Sequence, residues 1–299
     1  MKKITKDHTI HSFSAAHNPV LEVSAGERVC IEAQDGSGGQ IKDEKQLLTS
    51  LDLNRLNLCT GPVYVKESMP GDILKVVVED IKVADTGVLC TMPECGVLIH
   101  TVEGPKTKIV PVKDNVAYFS EDIIFTIKPM IGTIGVAPAE VEVPCVYPGD
   151  HGGNMDNRMI TAGSTVYFPV NVYGAYFALG DLHASMGDGE ICGTGIESAG
   201  TVTVKLDLVK GKTIWRPVVE TSDKWYTVAS DKDLSIAIRK ACEDMQELLV
   251  KAWGMSRVDA FLFLSAIGDV EICQAAQPAP INAVVRVAIP KINGKPTLV

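Results

Sequence analysis

Acidic and imidazole side chains are concentrated in one short stretch, Gly180–Glu190, which holds two aspartates, one histidine and one glutamate. The preceding residues, Ala175–Leu179, are apolar and aromatic, so they predict a buried strand. Because side chains alternate along a strand, we expect Asp181 and His183 on its core-facing side. A buried carboxylate and imidazole need a metal, a counter-charge or a substrate. A His–Asp hydrogen bond that only joins two strands remains the alternative.

Three further strands are predicted where a glycine is followed by apolar residues at the third, fifth and seventh positions. These segments begin at Gly26, Gly71 and Gly163. The pattern indicates half-buried strands that leave tight turns, as in a sandwich or jelly roll. In the first segment the same parity continues to Asp35, which is therefore expected to point inward. The glycine-rich run at 36–39 predicts a sharp turn, and it lacks the Gly-Lys-Ser/Thr of a phosphate loop.

Three carboxylates follow the His183 strand: Asp188, Glu190 and Glu197. They are either solvated edge charges or members of a site. Oxygen donors with one imidazole suit Zn²⁺, Mn²⁺ or Ca²⁺ better than a soft thiolate site would. A glutamate left uncommitted beside such a metal can act as general base for a water molecule. Cys192 is an alternative nucleophile, provided that a base such as His183 lies within reach.

A second polar cluster occupies the glycine-rich segment Pro148–Asp156. His151, Asn154 and Asp156 are candidate substrate-binding residues, because loops of this kind place polar groups into sites. Asp, Asn and Gly are also the commonest turn formers, so a simple turn is the alternative.

The composition favours a globular protein that binds a small molecule. The 299-residue chain is 46% hydrophobic and carries a formal net charge of −9, which argues against nucleic acid and anionic membranes as partners. No signal peptide and no membrane-spanning run is evident. The eight cysteines form no CxxC pair. We therefore expect reduced thiols and a cytoplasmic location.

The predicted fold is mainly β, with a β-sandwich or jelly-roll-like core and a C-terminal pair of helices. We expect one unit, 1–299, with a β-rich core at 1–210 and an α+β part at 211–299 packed on it. Ser230 is the predicted cap of a helix from Asp231 to Trp253, and Ser256 that of a second helix ending near Ile267. Further strands are predicted from alternation at Val88–Cys90, Val97–His100, Lys108–Val112, Ile123–Ile127, Val141–Val143, Thr201–Leu208 and Ala283–Ile289.

Several long motifs together resemble the acetamidase/formamidase family. The central ones are Gly149–Asp156, Ala162–Val170 and Leu179–Glu190, and the resemblance extends over nearly the whole chain. Shorter matches lie at Gly38–Ile41, Met69–Leu74 and Gly268–Cys273. The resemblance implies hydrolysis of short aliphatic amides to ammonia and a carboxylate, a β-sandwich core, a homodimer or higher homo-oligomer, and a bound divalent metal.

Two hypotheses follow for the function. In the first, an amide hydrolase acts on formamide or acetamide through metal-activated water, with Zn²⁺ expected first and Ca²⁺ second. The metal ligands would be Asp35, Asp181, His183 and Glu197, and the catalytic candidates are Glu190, Asp188 and Cys192. In the second, the same pocket binds a metal or small ligand without turnover. A surplus of carboxylates favours the enzyme, because hydrolysis needs a base beyond the ligands.

Overall fold

The computed structural model describes residues 1–276 and 282–299. Within these ranges the chain forms twenty-two strands and two α-helices, numbered in chain order. Their bounds are β1 Lys2–Ile4, β2 Thr9–Ile10, β3 Ser12–Phe13, β4 Leu21–Val23, β5 Glu27–Ala33, β6 Cys59–Val65, β7 Ile73–Val83, β8 Thr86–Thr91, β9 Lys106–Lys113, β10 Val116–Tyr118, β11 Ile124–Thr126, β12 Met130–Gly135, β13 Val143–Pro144, β14 Pro148–Gly149, β15 Gly152–Asn154, β16 Thr165–Pro169, β17 Phe177–His183, β18 Gly200–Val209, β19 Val218–Glu220, β20 Lys224–Asp231, α1 Leu234–Trp253, α2 Arg257–Ile267, β21 Asp269–Gln274 and β22 Ala283–Pro290.

Two large sheets pack face to face and form the expected β-sandwich. The first has nine strands in the order β1-β5-β18-β7-β16-β19-β20-β22-β21. The second has the order β14-β15-β12-β17-β6-β2, with β4 paired to β6. The main hydrophobic core lies between them and draws apolar side chains from both sheets. A smaller sheet, β11-β10-β9-β8, stands beside the second sheet, and β3 pairs with β13. The prediction of a mainly β fold is confirmed.

The glycine-led strands explain how the core is built. Gly26, Gly71 and Gly163 have φ of +87°, +94° and +87°, a region open to glycine but strained for other residues. Each turn feeds a strand of the nine-stranded sheet, namely β5, β7 and β16. The predicted inward residues all lie in the main core: Val29, Ile31, Ala33, Leu74, Val76, Val78, Val166, Phe168 and Val170. The period-two reading of these segments is therefore confirmed.

The two helices cover the outer face of the nine-stranded sheet. The apolar side of α1 packs against residues of β20 and β22 in a second hydrophobic cluster. The cap of α1 is Asp233, whose carboxylate accepts from the backbone N–H groups of Ser235 and Ile236. The predicted cap Ser230 is wrong, because β20 runs through Asp231 and delays the helix. Ser256 caps α2 as predicted, by accepting from Asp259 N.

Other sequence predictions also need correction. The run Val97–His100 forms no strand, and a 3₁₀ turn occupies Ile99–Thr101 instead. Of the predicted strand Val141–Val143 only Val143 lies in a strand, β13. After the glycine turn at 187–189 the sequence predicts a second strand that carries Glu190, but residues 184–199 form a loop with isolated bridges. This loop folds back over β17, where His183 bridges to Glu197. Of the helices described, none combines the length and apolar character needed to cross a membrane.

Candidate active site

The site is built around an irregular point in β17. Asp181 has a φ of +55°, which interrupts the alternation of the strand. As a result Leu179 and Leu182 both face the main core, and Asp181 and His183 point to the other side of the sheet. Gly132 of β12 leaves space for the carboxylate, since a Cβ there would lie 2.7 Å from Asp181 Oδ2. Asp181 and His183 therefore share one side of the strand as predicted, but the prediction that this is the core-facing side is wrong, because the alternation is broken at Asp181.

Three carboxylates surround the ring of His183. Its Nε2 lies 3.1 Å from Glu197 Oε1, 3.5 Å from Asp181 Oδ1 and 4.0 Å from Asp156 Oδ1. All four side chains are buried. Asp156 Oδ1 and His183 Nδ1 have no hydrogen-bond partner within the part of the chain that the structure describes. The cluster is therefore a dense group of potential ligands around one imidazole.

Backbone and side-chain donors hold these acids in place. Asp181 Oδ2 accepts from Asn57 Nδ2 at 2.9 Å and from Thr133 Oγ1 at 3.1 Å. Thr133 Oγ1 also lies 2.9 Å from Asn154 Oδ1. Glu197 Oε1 and Oε2 accept from the backbone N–H groups of Gly195 and Gly36, each at 3.0 Å. The carboxylates therefore have fixed orientations, as a preorganised site requires.

Glu190 and Asp156 form the other half of the cluster. Gln274 Nε2 bridges them, donating to Asp156 Oδ2 at 2.5 Å and to Glu190 Oε2 at 3.1 Å. Asp156, Asp181 and Glu190 have φ of +43°, +55° and +41°. Such left-handed backbone is strained in residues other than glycine and tends to persist at functional sites. Three of the four acids thus sit on strained backbone.

Burial and mutual repulsion shift the pKa values of these groups. Burial raises the pKa of Glu190 to about 7 and that of Glu197 to about 8, with the neighbouring acids adding to the effect. Burial also raises the pKa of Asp156 well above its ordinary value, reinforced by Glu190. Burial by itself would lower the pKa of His183, but Glu197 and Asp181 outweigh it and raise that pKa well above its ordinary value. Two glutamates are therefore poised to exchange protons near neutral pH.

A cavity of about 120 Å³ lies against this cluster. Its polar wall includes Asn154, Asp156, Asp181, Glu190 and Glu197. Its apolar wall is formed by Ile41, Leu48, Leu56, Val88, Met92, Val146 and Ala276. Since an apolar cavity of about 150 Å³ accepts benzene, this space suits a molecule of only a few heavy atoms.

Comparison with known proteins identifies the family. The model of the Acetamidase/Formamidase family matches residues 3–143 and 139–292. The chain belongs to this family. An acetamidase from Bacillus halodurans is 37% identical, with a TM-score of 0.93 over 96% of this chain and 97% of that one. A protein described as a predicted acetamidase/formamidase, from Thermoanaerobacter tengcongensis, is 40% identical, with a TM-score of 0.93 over 97% and 95% of the two chains.

More distant relatives agree with the assignment. A formamidase from Methylophilus methylotrophus is 28% identical over 82% of this chain and 80% of its own length. The chain spans only 61% of a further curated relative, from Schizosaccharomyces pombe. The predicted class, a hydrolase acting on linear amide C–N bonds, is confirmed at the level of the acetamidase/formamidase family.

The structure brings some predicted site residues of this acetamidase/formamidase family member together and places others elsewhere. The Asp35 carboxylate accepts from Ser37 Oγ and Gly39 N within its own turn, whereas the backbone of Gly36 contacts Glu197. Asp188 forms a bidentate ion pair with the buried guanidinium of Arg286, at 2.8 and 2.7 Å. Both acids therefore have structural partners, and their roles as ligand and catalytic residue stay predictions.

Cys192 and His151 are not among the described residues that line the cavity. The Cys192 thiol donates to Thr194 O at 3.4 Å, and it is absent from the described residues that line the cavity. His151 packs edge-to-face on Phe13, with ring centroids 5.1 Å apart. Burial lowers the pKa of His151 to about 4, so the ring is neutral at physiological pH. The substrate-binding candidates that do line the cavity are Asn154 and Asp156.

Arg286 ties together the segments that carry the acids. Besides Asp188, its guanidinium donates to Asn157 Oδ1 at 3.0 Å and to Glu271. Asn157 follows Asp156, Asp188 lies two residues before Glu190, and Glu271 is on the same strand as Gln274. One buried cation therefore anchors three segments of the site.

Sequence reasoning missed three residues of the site: Asn57, Thr133 and Gln274. Thr133 carried a signal, because it is a lone hydroxyl in the apolar run Met130–Gly135. Gln274 follows directly on the family motif Gly268–Cys273. No comparable signal marked Asn57, which lies in a loop and reaches Asp181 only through the folded chain.

Proposed function

We propose that the protein hydrolyses short aliphatic amides, such as formamide and acetamide, to ammonia and a carboxylate. The observation that carries this is the small cavity of about 120 Å³, which is lined by four buried carboxylates that lie around the imidazole of His183. Its volume admits an amide of a few heavy atoms, and its acids include groups that can take up and release protons near neutral pH.

Asp181, His183 and Glu197 are proposed to hold a divalent metal. Their ligand atoms lie within 4.8 Å of one another, and Asp156, His183 and Glu190 form a second such group. Within residues 1–276 and 282–299, no Lys or Arg forms an ion pair with these acids, and Asp156 Oδ1 is buried without a partner. A buried excess of negative charge of this kind fits a cation. The mixed oxygen and imidazole donors suit Zn²⁺ first and Ca²⁺ second.

Glu190 and Asn154 are proposed to act in proton transfer and substrate binding. When bound, a divalent cation supplies Lewis acidity toward the amide carbonyl and a water molecule. Glu190 is the proposed general base, because its carboxylate lines the cavity and its pKa is about 7. The same carboxyl group, once protonated, can deliver the proton to the departing ammonia. Asn154 is proposed to orient the substrate, since its carboxamide lines the cavity beside Asp156.

The test is ammonia release from formamide and acetamide, measured on the purified protein before and after dialysis against a strong chelator. We expect hydrolysis that chelation abolishes and a divalent ion restores. Glu142→Gln changes an exposed carboxylate outside the site, and it is the control for Glu→Gln changes within the site. A metal-replete protein that binds amide without releasing ammonia would establish the non-catalytic alternative. Full activity in a preparation that elemental analysis shows to be metal-free would reject the metal and retain the hydrolase.

Assembly into a homodimer or higher homo-oligomer, which the family resemblance implies, is also proposed from the surface of the helices. The apolar stripe of α1 is buried on the sheet and is not available to a partner. On α2, by contrast, Val258, Phe261 and Leu262 are 68%, 68% and 61% exposed, beside the edge strand β21. Exposed apolar side chains next to a sheet edge favour association. Sedimentation that shows only a 32.1 kDa species at micromolar concentration would reject this.

A further inference from the structure

Gln274 is placed in the site by an irregularity of the strand that carries it. The pairing of β21 with β22 shifts register between Ile272 and Gln274. Bulges of this kind re-aim side chains and are frequent beside active sites. The backbone on either side of Gln274 is clamped to the turn before Glu190, because Gly189 N donates to Cys273 O and Ala275 N donates to Gly189 O, both at 2.9 Å. The side chain is 5% exposed and lines the cavity.

The hydrogen bonds of Gln274 leave its carbonyl oxygen free. A carboxamide offers two N–H donors and one acceptor oxygen. Both donors are used, because Nε2 contacts Asp156 Oδ2 at 2.5 Å and Glu190 Oε2 at 3.1 Å. Ionised carboxylates only accept, and Glu190 must be ionised to act as the base, so the nitrogen is the atom that faces them. Oε1 is then a buried acceptor, and within the described residues it has no partner. A buried acceptor that receives no hydrogen bond is unfavourable, unless a bound ligand supplies the donor.

We propose that Gln274 Oε1 accepts an N–H hydrogen bond from the carboxamide nitrogen of the substrate, which makes Gln274 a specificity-determining residue. This inference rests on the proposed function. Of the carboxylates that share the cavity wall, Asp181 is already held by Asn57 and Thr133, and Glu197 by backbone N–H groups. Asp156 Oδ1 is the other acceptor on this wall without a partner among the described residues, and it belongs to a group of potential metal ligands. An ester of the same size lacks the N–H group and would leave Oε1 unpaired. Sites built around such a hydrogen bond reject analogues that lack it.

The first experiment compares an amide with an ester. Gln274→Met keeps the length of the side chain and removes the acceptor, and Gln246→Met on α1 is the matched control, since Gln246 bonds only Arg257 at the surface. kcat/KM is measured for acetamide by ammonia release. For methyl acetate, kcat/KM is measured by acid release. If the ester is not hydrolysed, its inhibition of acetamide hydrolysis is measured instead. We expect the loss caused by Gln274→Met to be roughly 10–100-fold larger in kcat/KM for acetamide than in the value for the ester. Equal losses on both would mean that Gln274 only positions Asp156 and Glu190.

A crystal structure decides the matter even if Gln274→Met fails to fold. The Glu190→Gln variant, soaked with acetamide, should show the amide nitrogen about 3 Å from Gln274 Oε1. A nitrogen farther than about 4 Å, or a cavity without acetamide, overturns the inference. If the wild-type protein releases no ammonia from any short amide, the proposed function itself fails. If it does release ammonia while the amide nitrogen lies elsewhere, only the role of Gln274 is rejected.

Discussion

The two buried histidines of this chain have opposite surroundings and opposite chemistry. His151 is 4% exposed and His183 is 1% exposed, so burial does not distinguish them. His151 packs on Phe13, and burial lowers its pKa to about 4. His183 is surrounded by Asp156, Asp181 and Glu197, which reverse the effect of burial and raise its pKa. Neighbouring charge, rather than burial, therefore separates a packing imidazole from one whose surroundings favour positive charge, either as a proton on the ring or as a cation bound in its place.

Replacing His183 should have the largest effect. His183→Ala removes the imidazole on which the acids converge, so we expect metal content to be lost and kcat/KM for acetamide to fall by roughly 10³-fold or more. Ammonia release, elemental analysis and circular dichroism on the same sample check this. Activity within tenfold of the wild type, in a folded variant, would show that His183 is not needed for hydrolysis. The two histidines would then not differ in function.

Glu190→Gln separates base from ligand within the cluster. If Glu190 is the base, turnover should fall by roughly 10²–10⁴-fold while the metal stays bound. Burial raises the pKa of Glu190 to about 7 without a metal, and a bound cation lowers it. The wild-type rate should therefore rise with pH below about 7, as the Glu190 carboxyl loses its proton, and this limb should vanish in the variant. Glu197→Gln is the companion variant, and it should lose the metal as well. Loss of metal from Glu190→Gln would instead make Glu190 a ligand and leave Glu197 or Asp188 as the base.

His151 should affect stability and not turnover. Its pKa is about 4 in the folded protein and about 6.5 when exposed, so below pH 6.5 the unfolded chain takes up a proton that the folded chain refuses. The free energy of unfolding should therefore fall by about 2 kcal/mol between pH 7 and pH 5 from this residue alone. Urea denaturation of the wild type and of His151→Gln at both pH values isolates the contribution. Equal pH dependence in the two proteins would contradict the assignment.

Cys192→Ala should have the smallest effect. The thiol contacts Thr194 and is absent from the described lining of the cavity, so acetamide hydrolysis should stay within about twofold of the wild type. If acetamide hydrolysis falls by more than tenfold with the metal still bound, Cys192 as nucleophile becomes the better hypothesis. The proposal that the metal site around His183 carries the reaction would then be weakened.

The strands of the sandwich and their core-facing residues could be predicted from the sequence more accurately than the arrangement of the site. Local rules sufficed for β5, β7 and β16, where a glycine turn and period-two apolar residues decide both the strand and its inward face. They failed at Asp181, because a left-handed residue inside a strand is imposed by tertiary contacts and leaves no local pattern. Asp35 shows the same limit, since an inward parity does not reveal that the carboxylate closes its own turn.

The convergence of distant segments was also beyond local reasoning. Asp181, His183 and Glu197 could be grouped from the sequence because they lie on one strand and the loop that follows it. Gln274 could not, because its position depends on a bulge in an edge strand and on contacts with the Gly189 turn. The site is therefore a property of the assembled sheets rather than of any single motif.

The position of Arg286 gives the site a place in the order of folding. This guanidinium lies on β22, the last strand of the nine-stranded sheet in chain order, and it binds the segments that carry Asp156 and Glu190. During synthesis the acids emerge from the ribosome well before the cation that fixes their loops. We therefore expect the loops that carry the acids to be fixed only after β22 joins the sheet.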